Sequence, residues 1–301
     1  MAVLIDPPRW PAHGTRFSHL VSDHSLAELF AFADANDVPL RAFDHDHYDV
    51  AERRWDDLVA AGALPVEGTE LVRRLVASGL RVRTPLRTPK PEQVVGVLEG
   101  RWHDLLPKSP ALGGELLRRW REPHRHYHDV RHLAQMLGAL DLLAVESVPR
   151  PVALAAWFHD AVHDGRAGAD EEQSALLAAA ELPGAGVGRA EADEVARLVR
   201  LTATHAPAGD DADGLLLVDA DLSVLGLPPG RYHMYSRGVR LEYPGLPDDV
   251  FAAGRTAALE ALSSRAPLFG LPVAERTWSR QAHQNLAVER TRWSRFADRH
   301  R

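Results

Sequence analysis

Four histidines lie close together in the segment PHRHYHDVRHL, residues 123–133: His124, His126, His128 and His132. A neutral imidazole binds first-row divalent metals, and a protonated imidazole can donate a proton near neutral pH. The segment could therefore hold a metal ion or perform acid–base chemistry. Which of these it does depends on whether the rest of the chain supplies acidic side chains.

Two later segments place acidic side chains in apolar surroundings. PVALAAWFHDAVHDG is apolar on every side until His159 and Asp160, and Asp219 and Asp221 interrupt LLLVDADLSVLG. A buried carboxylate is costly without a cation or strong hydrogen bonds. Each acid alone could cap a helix or pair with an arginine. Three helices that offer histidine, histidine–aspartate and aspartate together favour a shared first-row divalent cation.

The helix after the histidine cluster can position one of these groups. Asp129 can N-cap it, and Val130, Leu133 and Leu137 then form one apolar stripe. His132 lies beside that stripe in the first turn, so it can face a cavity that the packed helices enclose.

The order of these segments resembles a known family. YHDVRH, WFHDAVHD and VDADLSVLG are similar to the motif series of the HD superfamily of metal-dependent phosphohydrolases, over about residues 90–300. DEEQSA, LVRLTATH, VRLEY and AHQNLAVE resemble a subgroup of predicted HD phosphohydrolases. The metal ligands that this resemblance implies are His132, His159, Asp160 and Asp221. The implied cofactor is a divalent cation: Mn, Mg, Fe, Co, Ni or Zn. Asp221 is preferred to Asp219 because the AD element usually holds the last ligand.

The resemblance also implies catalytic roles. In the related cyclic-nucleotide phosphodiesterases, the first histidine of a YHN..H segment acts as an acid, and His128 occupies that position here. Asp129 replaces the asparagine, and a structural role beside the ligands is the alternative for His128. Asp160 would help to orient or deprotonate the attacking water.

Four further residues could support the site. His163 could approach the same cation, or it could cap the helix C-terminus. His205 could serve a second metal or a phosphate. Arg131 could hold a phosphate by bidentate contacts, or it could be an ordinary surface residue. Asp219 stays an alternative to Asp221.

The N-terminal region has a different pattern. The predicted elements are a strand at 2–6, a helix at 25–37, a strand at 38–43 and helices at 49–63 and 68–80. This order predicts a small α/β domain. IDPPRWPAHGTRFSHLVSD and DHDHYDVAERR resemble a small bacterial domain of unknown function, DUF4031, over about residues 1–85. Asp6 follows a strand, where α/β domains often bind ligands. The side chains that could join it in a polar pocket are His19, His45, His47 and Asp49; ordinary loop polarity is the alternative.

A proline-rich linker at 81–93 separates the two patterns. We therefore predict a multi-domain protein, with a small α/β domain at 1–87 and an all-helical HD-type domain at 88–301. The predicted function is metal-dependent hydrolysis of a small phosphorylated molecule, for which a nucleotide is one candidate. The alternative is a non-catalytic, metal-bearing ligand sensor or regulatory protein.

Composition restricts other functions. The 301 residues include no cysteine, which excludes disulfides and thiolate metal sites. A net charge of −7 disfavours a dedicated nucleic-acid binder. Without a signal-peptide pattern or an apolar segment of spanning length, we expect a cytoplasmic protein with no membrane partner. The sequence does not indicate the oligomeric state.

Overall fold

The structure is a computed structural model that describes the backbone of residues 2–299 and the side chains of residues 2–294. The chain divides into two compact units. The N-terminal unit comprises residues up to Arg87 together with Pro228–Met234, and the C-terminal unit comprises the remainder. A small α/β region followed by a mostly helical region confirms the coarse fold prediction.

The N-terminal unit is built on a mixed sheet. Its elements are β1 (Val3–Ile5), β2 (Trp10–Ala12), β3 (Thr15–Ser22), α1 (Leu26–Ala35), β4 (Phe43–Asp44), β5 (His47–Ala51), α2 (Trp55–Ala60), β6 (Leu64–Pro65) and α3 (Gly68–Ala77). The strand order is β4-β5-β3-β1-β6, and β2 pairs with β3. β1 runs antiparallel to β3 and parallel to β6, so it lies in the interior of the sheet.

Local sequence signals explain the ends of two helices. The Ser25 side chain accepts a hydrogen bond from the Glu28 backbone N–H and so N-caps α1, as serine often does at a helix start. Gly79 follows α3 with φ of 77°, a conformation that glycine adopts without strain. Leu4, Leu20 and other apolar side chains of the sheet and helices are buried together as the core of this unit.

Two predicted elements of this unit were wrong. The strand predicted at 38–43 is mainly a 3₁₀ turn, and the helix predicted at 49–63 begins only at Trp55. The first residues of that predicted helix instead belong to β5, where Tyr48 and Val50 are buried on one side. Pairing with β3 supplies the backbone hydrogen bonds of β5, and a single segment does not reveal that pairing.

Residues 228–234 belong to the N-terminal unit, although the sequence predicts them as part of the helical domain at 88–301. A Cβ atom at Gly230 would lie 1.7 Å from the His45 carbonyl oxygen, so the approach requires glycine. The His233 ring lies 4.3 Å from the Phe30 ring, between centroids. Close backbone approach and ring packing thus account for the assignment.

The C-terminal unit consists of helices. They are α4 (Pro91–Leu105), α5 (Pro110–Arg119), α6 (Val130–Leu143), α7 (Arg150–Phe158), α8 (Ala169–Gly184), α9 (Arg189–Leu201), α10 (Ala212–Asp221), α11 (Pro229–Leu241, from Tyr235 onward), α12 (Asp248–Ser263) and α13 (Pro272–Arg299). No strand occurs among residues 88–299. In the part of the chain that the structure describes, no helix combines the length and apolar character needed to cross a bilayer.

α7 is the central helix of this unit. It contacts α4, α6, α8, α9 and α10. Val152 and each residue from 154 to 158 have no exposed surface, as the apolar sequence predicts. The Trp120 indole N–H donates to the Trp157 carbonyl oxygen at 3.0 Å. The end of α7 therefore carries the His159–Asp160 pair into the interior.

Candidate functional site

Two helix ends position the central histidines. The Asp129 side chain accepts a hydrogen bond from the Arg131 backbone N–H at 2.8 Å, which confirms the predicted N-cap of α6. His132 follows in the first turn and is 3% exposed. His159 directly follows α7, and its backbone N–H donates to the Ala155 carbonyl oxygen at 2.9 Å. Both imidazoles are therefore positioned by helix ends, and His159, like His132, is buried.

Four side chains from α6, α7 and α10 converge. His132 Nε2 lies 3.1 Å from His159 Nε2 and 3.1 Å from Asp221 Oδ1. His159 Nε2 lies 3.1 Å from Asp160 Oδ2. The two remaining histidine–aspartate distances, His132 Nε2 to Asp160 Oδ2 and His159 Nε2 to Asp221 Oδ1, are both 3.9 Å. Two imidazole nitrogens and two carboxylate oxygens form a donor set that suits a first-row divalent cation.

Hydrogen bonds outside this group orient its members. His159 Nδ1 lies 2.9 Å from the Ala156 carbonyl oxygen, so Nδ1 donates its proton to that oxygen and Nε2 faces the other members of the group. Tyr127 Oη lies 3.0 Å from His132 Nδ1. His205 Nε2 lies 2.7 Å from Asp221 Oδ2, so His205 contacts a candidate ligand. Such outer contacts typically fix the rings of metal-binding histidines.

The charges of the group are coupled. Burial alone would raise the pKa of the Asp160 and Asp221 carboxyls. The charge of His159 instead holds the pKa of Asp160 below its usual range, and hydrogen bonds from His132 and His205 do the same for Asp221. Burial would lower the pKa of His159, but Asp160 raises it to about 9. Burial lowers the pKa of His132. The group thus contains two ionised carboxylates that attract positive charge.

Asp219 does not belong to this group. Its Oδ1 accepts a hydrogen bond from Gly270 N at 2.9 Å, and its Oδ2 accepts one from Leu271 N at 2.6 Å. Burial raises the pKa of the Asp219 carboxyl. The carboxylate therefore stabilises the turn that leads into α13, and of the two open candidates Asp221 lies at the convergence point.

A second group of ligand-type atoms adjoins the first. His128, His163 and Glu242 each offer an atom within 4.8 Å of the others. His128 Nδ1 lies 2.6 Å from Glu242 Oε2, and His163 Nε2 lies 3.5 Å from the same oxygen. The His128 ring centroid is 5.7 Å from that of His132. Glu242 was not among the predicted site residues, although it lies in the VRLEY segment that contributed to the resemblance.

Glu242 holds the loop before α6. Its Oε1 accepts hydrogen bonds from the backbone N–H groups of His126, Tyr127 and His128 at 2.7, 2.7 and 2.9 Å. Burial would raise the pKa of Glu242, but hydrogen bonds from His128 and His163 lower it. Burial would lower the pKa of His128, but the Glu242 hydrogen bond raises it. His128 and Glu242 therefore form a hydrogen-bonded imidazole–carboxylate pair.

Two arginines serve this loop. Arg131 Nε donates to Asp129 Oδ2 at 2.8 Å, and Arg131 Nη2 donates to the His126 carbonyl oxygen at 3.0 Å. Arg131, which the sequence offered as a phosphate contact, therefore stabilises the loop. Arg125 was missed by the sequence analysis. Its side chain has no exposed surface, and its Nη1 donates to the carbonyl oxygens of His128 at 3.0 Å and Asp160 at 2.7 Å.

The polar residues predicted for the N-terminal region also lie together. His19 Nδ1 is 2.9 Å from Asp6 Oδ2. The His19 and His47 ring centroids are 5.1 Å apart. Asp49 joins these histidines, whereas His45 Nδ1 pairs with Asp44 Oδ1 at 2.5 Å instead.

Comparison with known proteins supports the N-terminal assignment. The family described as "Protein of unknown function (DUF4031)" matches residues 3–78. That match agrees with the resemblance noted from the sequence, and the description carries no activity. No curated protein and no solved structure matches the chain significantly. The resemblance of the helical region to HD phosphohydrolases stays a prediction.

Proposed function

We propose that the C-terminal unit is a metal-dependent phosphohydrolase of the HD type that acts on a small phosphorylated molecule. The observation that carries the proposal is the convergence of His132, His159, Asp160 and Asp221, with their closest ligand atoms 3.1 Å apart. Ligand atoms about 2.1 Å from a common metal are separated by about 3.0–3.4 Å when adjacent and about 4.2 Å when opposite. The observed distances of 3.1 and 3.9 Å fall within that span.

These four side chains would hold the cation, and their donor types suit Mn, Mg, Fe, Co, Ni or Zn. A divalent cation bound there would lower the pKa of a water molecule and offset the negative charge that develops on a phosphoryl group. Asp160 keeps its second oxygen for a hydrogen bond that orients the attacking water. The His205 contact holds Asp221 in its orientation.

His128 is the proposed acid. Glu242 occupies its Nδ1, so Nε2 is the ring nitrogen left to donate a proton to the leaving oxygen. The pair with Glu242 raises the pKa of His128 although burial opposes this. A raised pKa favours the protonated imidazole, which is the state that an acid needs before the leaving group departs.

The test combines metal analysis with a substrate panel. Purified full-length protein is assayed for bound metals, then for hydrolysis of nucleotides, phosphomonoesters and phosphodiesters with Mn, Mg, Co or Ni. We expect metal-dependent turnover that Asp160→Asn abolishes and that the control Asp104→Asn, an exposed acid on α4, retains. Metal binding at this site without turnover on any substrate would contradict the proposal and favour a ligand sensor.

A further inference from the structure

One face of the N-terminal sheet gathers two histidines and an aspartate. His19 on β3 pairs directly with Asp49 on β5. His47 precedes Asp49 by two residues, and side chains two apart on a strand lie on the same face. The intervening Tyr48 turns to the other face and is 2% exposed. Asp6 follows β1, and its backbone N–H donates to the His19 carbonyl oxygen at 3.2 Å, which brings it to the same position.

Each histidine of this face has one ring nitrogen held by a carboxylate. His19 Nδ1 lies 2.9 Å from Asp6 Oδ2, and His47 Nδ1 lies 2.7 Å from Asp46 Oδ1. The Nε2 atoms lie 4.0 Å (His19) and 3.6 Å (His47) from Asp49 Oδ1. The three atoms that remain for a ligand are all within 4.8 Å of one another. Carboxylate–histidine pairs that turn the opposite nitrogen toward a shared point are the usual outer arrangement of a metal site.

The two orienting carboxylates are themselves fixed. Asp6 is 3% exposed, and its Oδ1 accepts a hydrogen bond from His19 N at 2.6 Å. Asp46 has no exposed surface, and its Oδ2 accepts a hydrogen bond from Val82 N at 2.6 Å. Because neither acid can rotate without losing a buried hydrogen bond, both imidazole rings are held in place before any ligand binds.

The charge around these atoms selects the ligand. Asp6, Asp46 and Asp49 surround the two imidazoles, and a nearby guanidinium, that of Arg81, lies 3.4 Å from Asp46. An anion at the Nε2 atoms would meet three carboxylates, whereas a cation would be attracted by them. Asp49 is the half-exposed member, with 48% of its side chain accessible, so it can move closer to both Nε2 atoms, as ligation requires.

We infer that His19, His47 and Asp49 form a second metal site, for a first-row divalent cation such as Zn²⁺, with Asp6 and Asp46 as the orienting acids. Three protein ligands, one of them half exposed, leave a coordination position open to solvent. That is the arrangement of catalytic or ligand-binding zinc sites, whereas structural zinc sites are closed by four protein ligands. The site lies within the region that matches DUF4031 and does not depend on hydrolysis by the C-terminal unit.

The test is a calorimetric titration of metal-stripped, full-length protein with zinc chloride. In His47→Asn, the amide N–H can replace Nδ1 as the hydrogen-bond donor to Asp46, but the ligand atom Nε2 is lost. Asp49→Asn removes the exposed carboxylate charge. We expect both variants to bind one zinc ion fewer than the wild type. Asp160→Asn should retain this zinc ion. Asp6→Asn should keep the stoichiometry but weaken binding of this zinc ion by about 10–100-fold, the usual cost of losing an orienting partner. The matched control is His24→Asn, an exposed histidine of the same unit, which should bind zinc as the wild type does.

The competing interpretation is that the two histidines are only protonated partners of the carboxylates. It predicts that His47→Asn and Asp49→Asn bind as many zinc ions as the wild type, with the same affinities, and this result would overturn the inference. Because Asp49 is half exposed, its variant should fold normally, which a thermal melt can check. Failure of the proposed hydrolase would be seen separately. The wild type would then show no turnover, but His47→Asn and Asp49→Asn would still bind one zinc ion fewer than the wild type.

Discussion

Glu242 Oε2 lies 2.6 Å from His128 Nδ1, although 114 residues separate the two in the chain. The other oxygen of the same carboxylate holds three consecutive backbone N–H groups of the loop that carries His128. The Glu242 side chain is 1% exposed, so water does not compete for these bonds. One buried acid thus fixes both the backbone and the ring of the proposed general acid.

Glu242→Gln should test this relationship. The amide has nearly the shape of the carboxylate but lacks the charge that raises the pKa of His128. We expect a lower rate and an alkaline limb of the pH–rate profile that moves to lower pH, because His128 then loses its proton more readily. Metal content should be unchanged. An alkaline limb at its wild-type pH would show that Glu242 has only a structural role.

His128→Ala and His132→Ala should separate the acid from a ligand. His128→Ala should keep its metal and lose turnover by about 10²–10⁴-fold, the usual contribution of a general acid. The loss should be smaller for an aryl phosphate, whose leaving group needs little protonation. His132→Ala should lose metal affinity and activity on every substrate alike. Equal loss of metal in both variants would make His128 a ligand instead.

The sequence was informative where a site residue interrupts a strong local pattern. His159, Asp160 and Asp221 stand out because the surrounding helices are apolar, and the side chains proposed as ligands do lie together; that they bind a cation stays a prediction. Glu242 and Arg125 could not be found in this way. Their roles arise from contacts with distant segments, and neither interrupts an apolar pattern.

The N-terminal unit was harder to predict for a related reason. β5 is only five residues long, and the chain turns directly into a 3₁₀ turn and α2 after it. Its alternation of buried and polar residues has meaning only beside β3, whose position the sequence analysis did not identify. The Asp129 and Ser25 caps were predictable because a cap depends on residues two or three positions away.

Asp23→Asn should reveal a pH-dependent contribution to stability. Asp23 Oδ1 accepts a hydrogen bond from Ala2 N at 2.7 Å, and Oδ2 accepts one from Arg74 Nε at 3.0 Å. Burial would raise the pKa of Asp23, but these two partners lower it. Because the folded pKa lies below the unfolded value of about 3.9, the contribution is present above about pH 3.9 and is lost as the pH falls through the folded pKa.

The expected loss for Asp23→Asn is about 1–2 kcal/mol in the free energy of unfolding at pH 7, shrinking as the pH falls below about 4. Denaturant titrations at several pH values, monitored by tryptophan fluorescence, would measure this loss. Asp34→Asn, an exposed acid on α1, is the control and should change stability by less than about 0.5 kcal/mol. A constant difference between wild type and Asp23→Asn down to pH 2 would contradict the assignment.

Gly238→Ala should disturb the loop that carries His128. A Cβ atom at Gly238 on α11 would lie 2.9 Å from Tyr127 Cβ and 3.0 Å from the His126 carbonyl oxygen. Because these atoms belong to or adjoin the backbone, the loop must shift, at a cost of about 1–3 kcal/mol in stability. The shift would also displace the N–H groups that Glu242 binds, so the rate should fall while bound metal is retained.

Gly254→Ala on α12 provides the matched control. A Cβ atom there meets nothing within 4 Å, so the substitution should stabilise the helix by about 0.5–1 kcal/mol and leave the rate unchanged. Thermal melts and turnover of the two variants give the comparison. If Gly238→Ala gains stability and keeps its rate as Gly254→Ala does, the close approach of α11 to the loop is not needed to position His128.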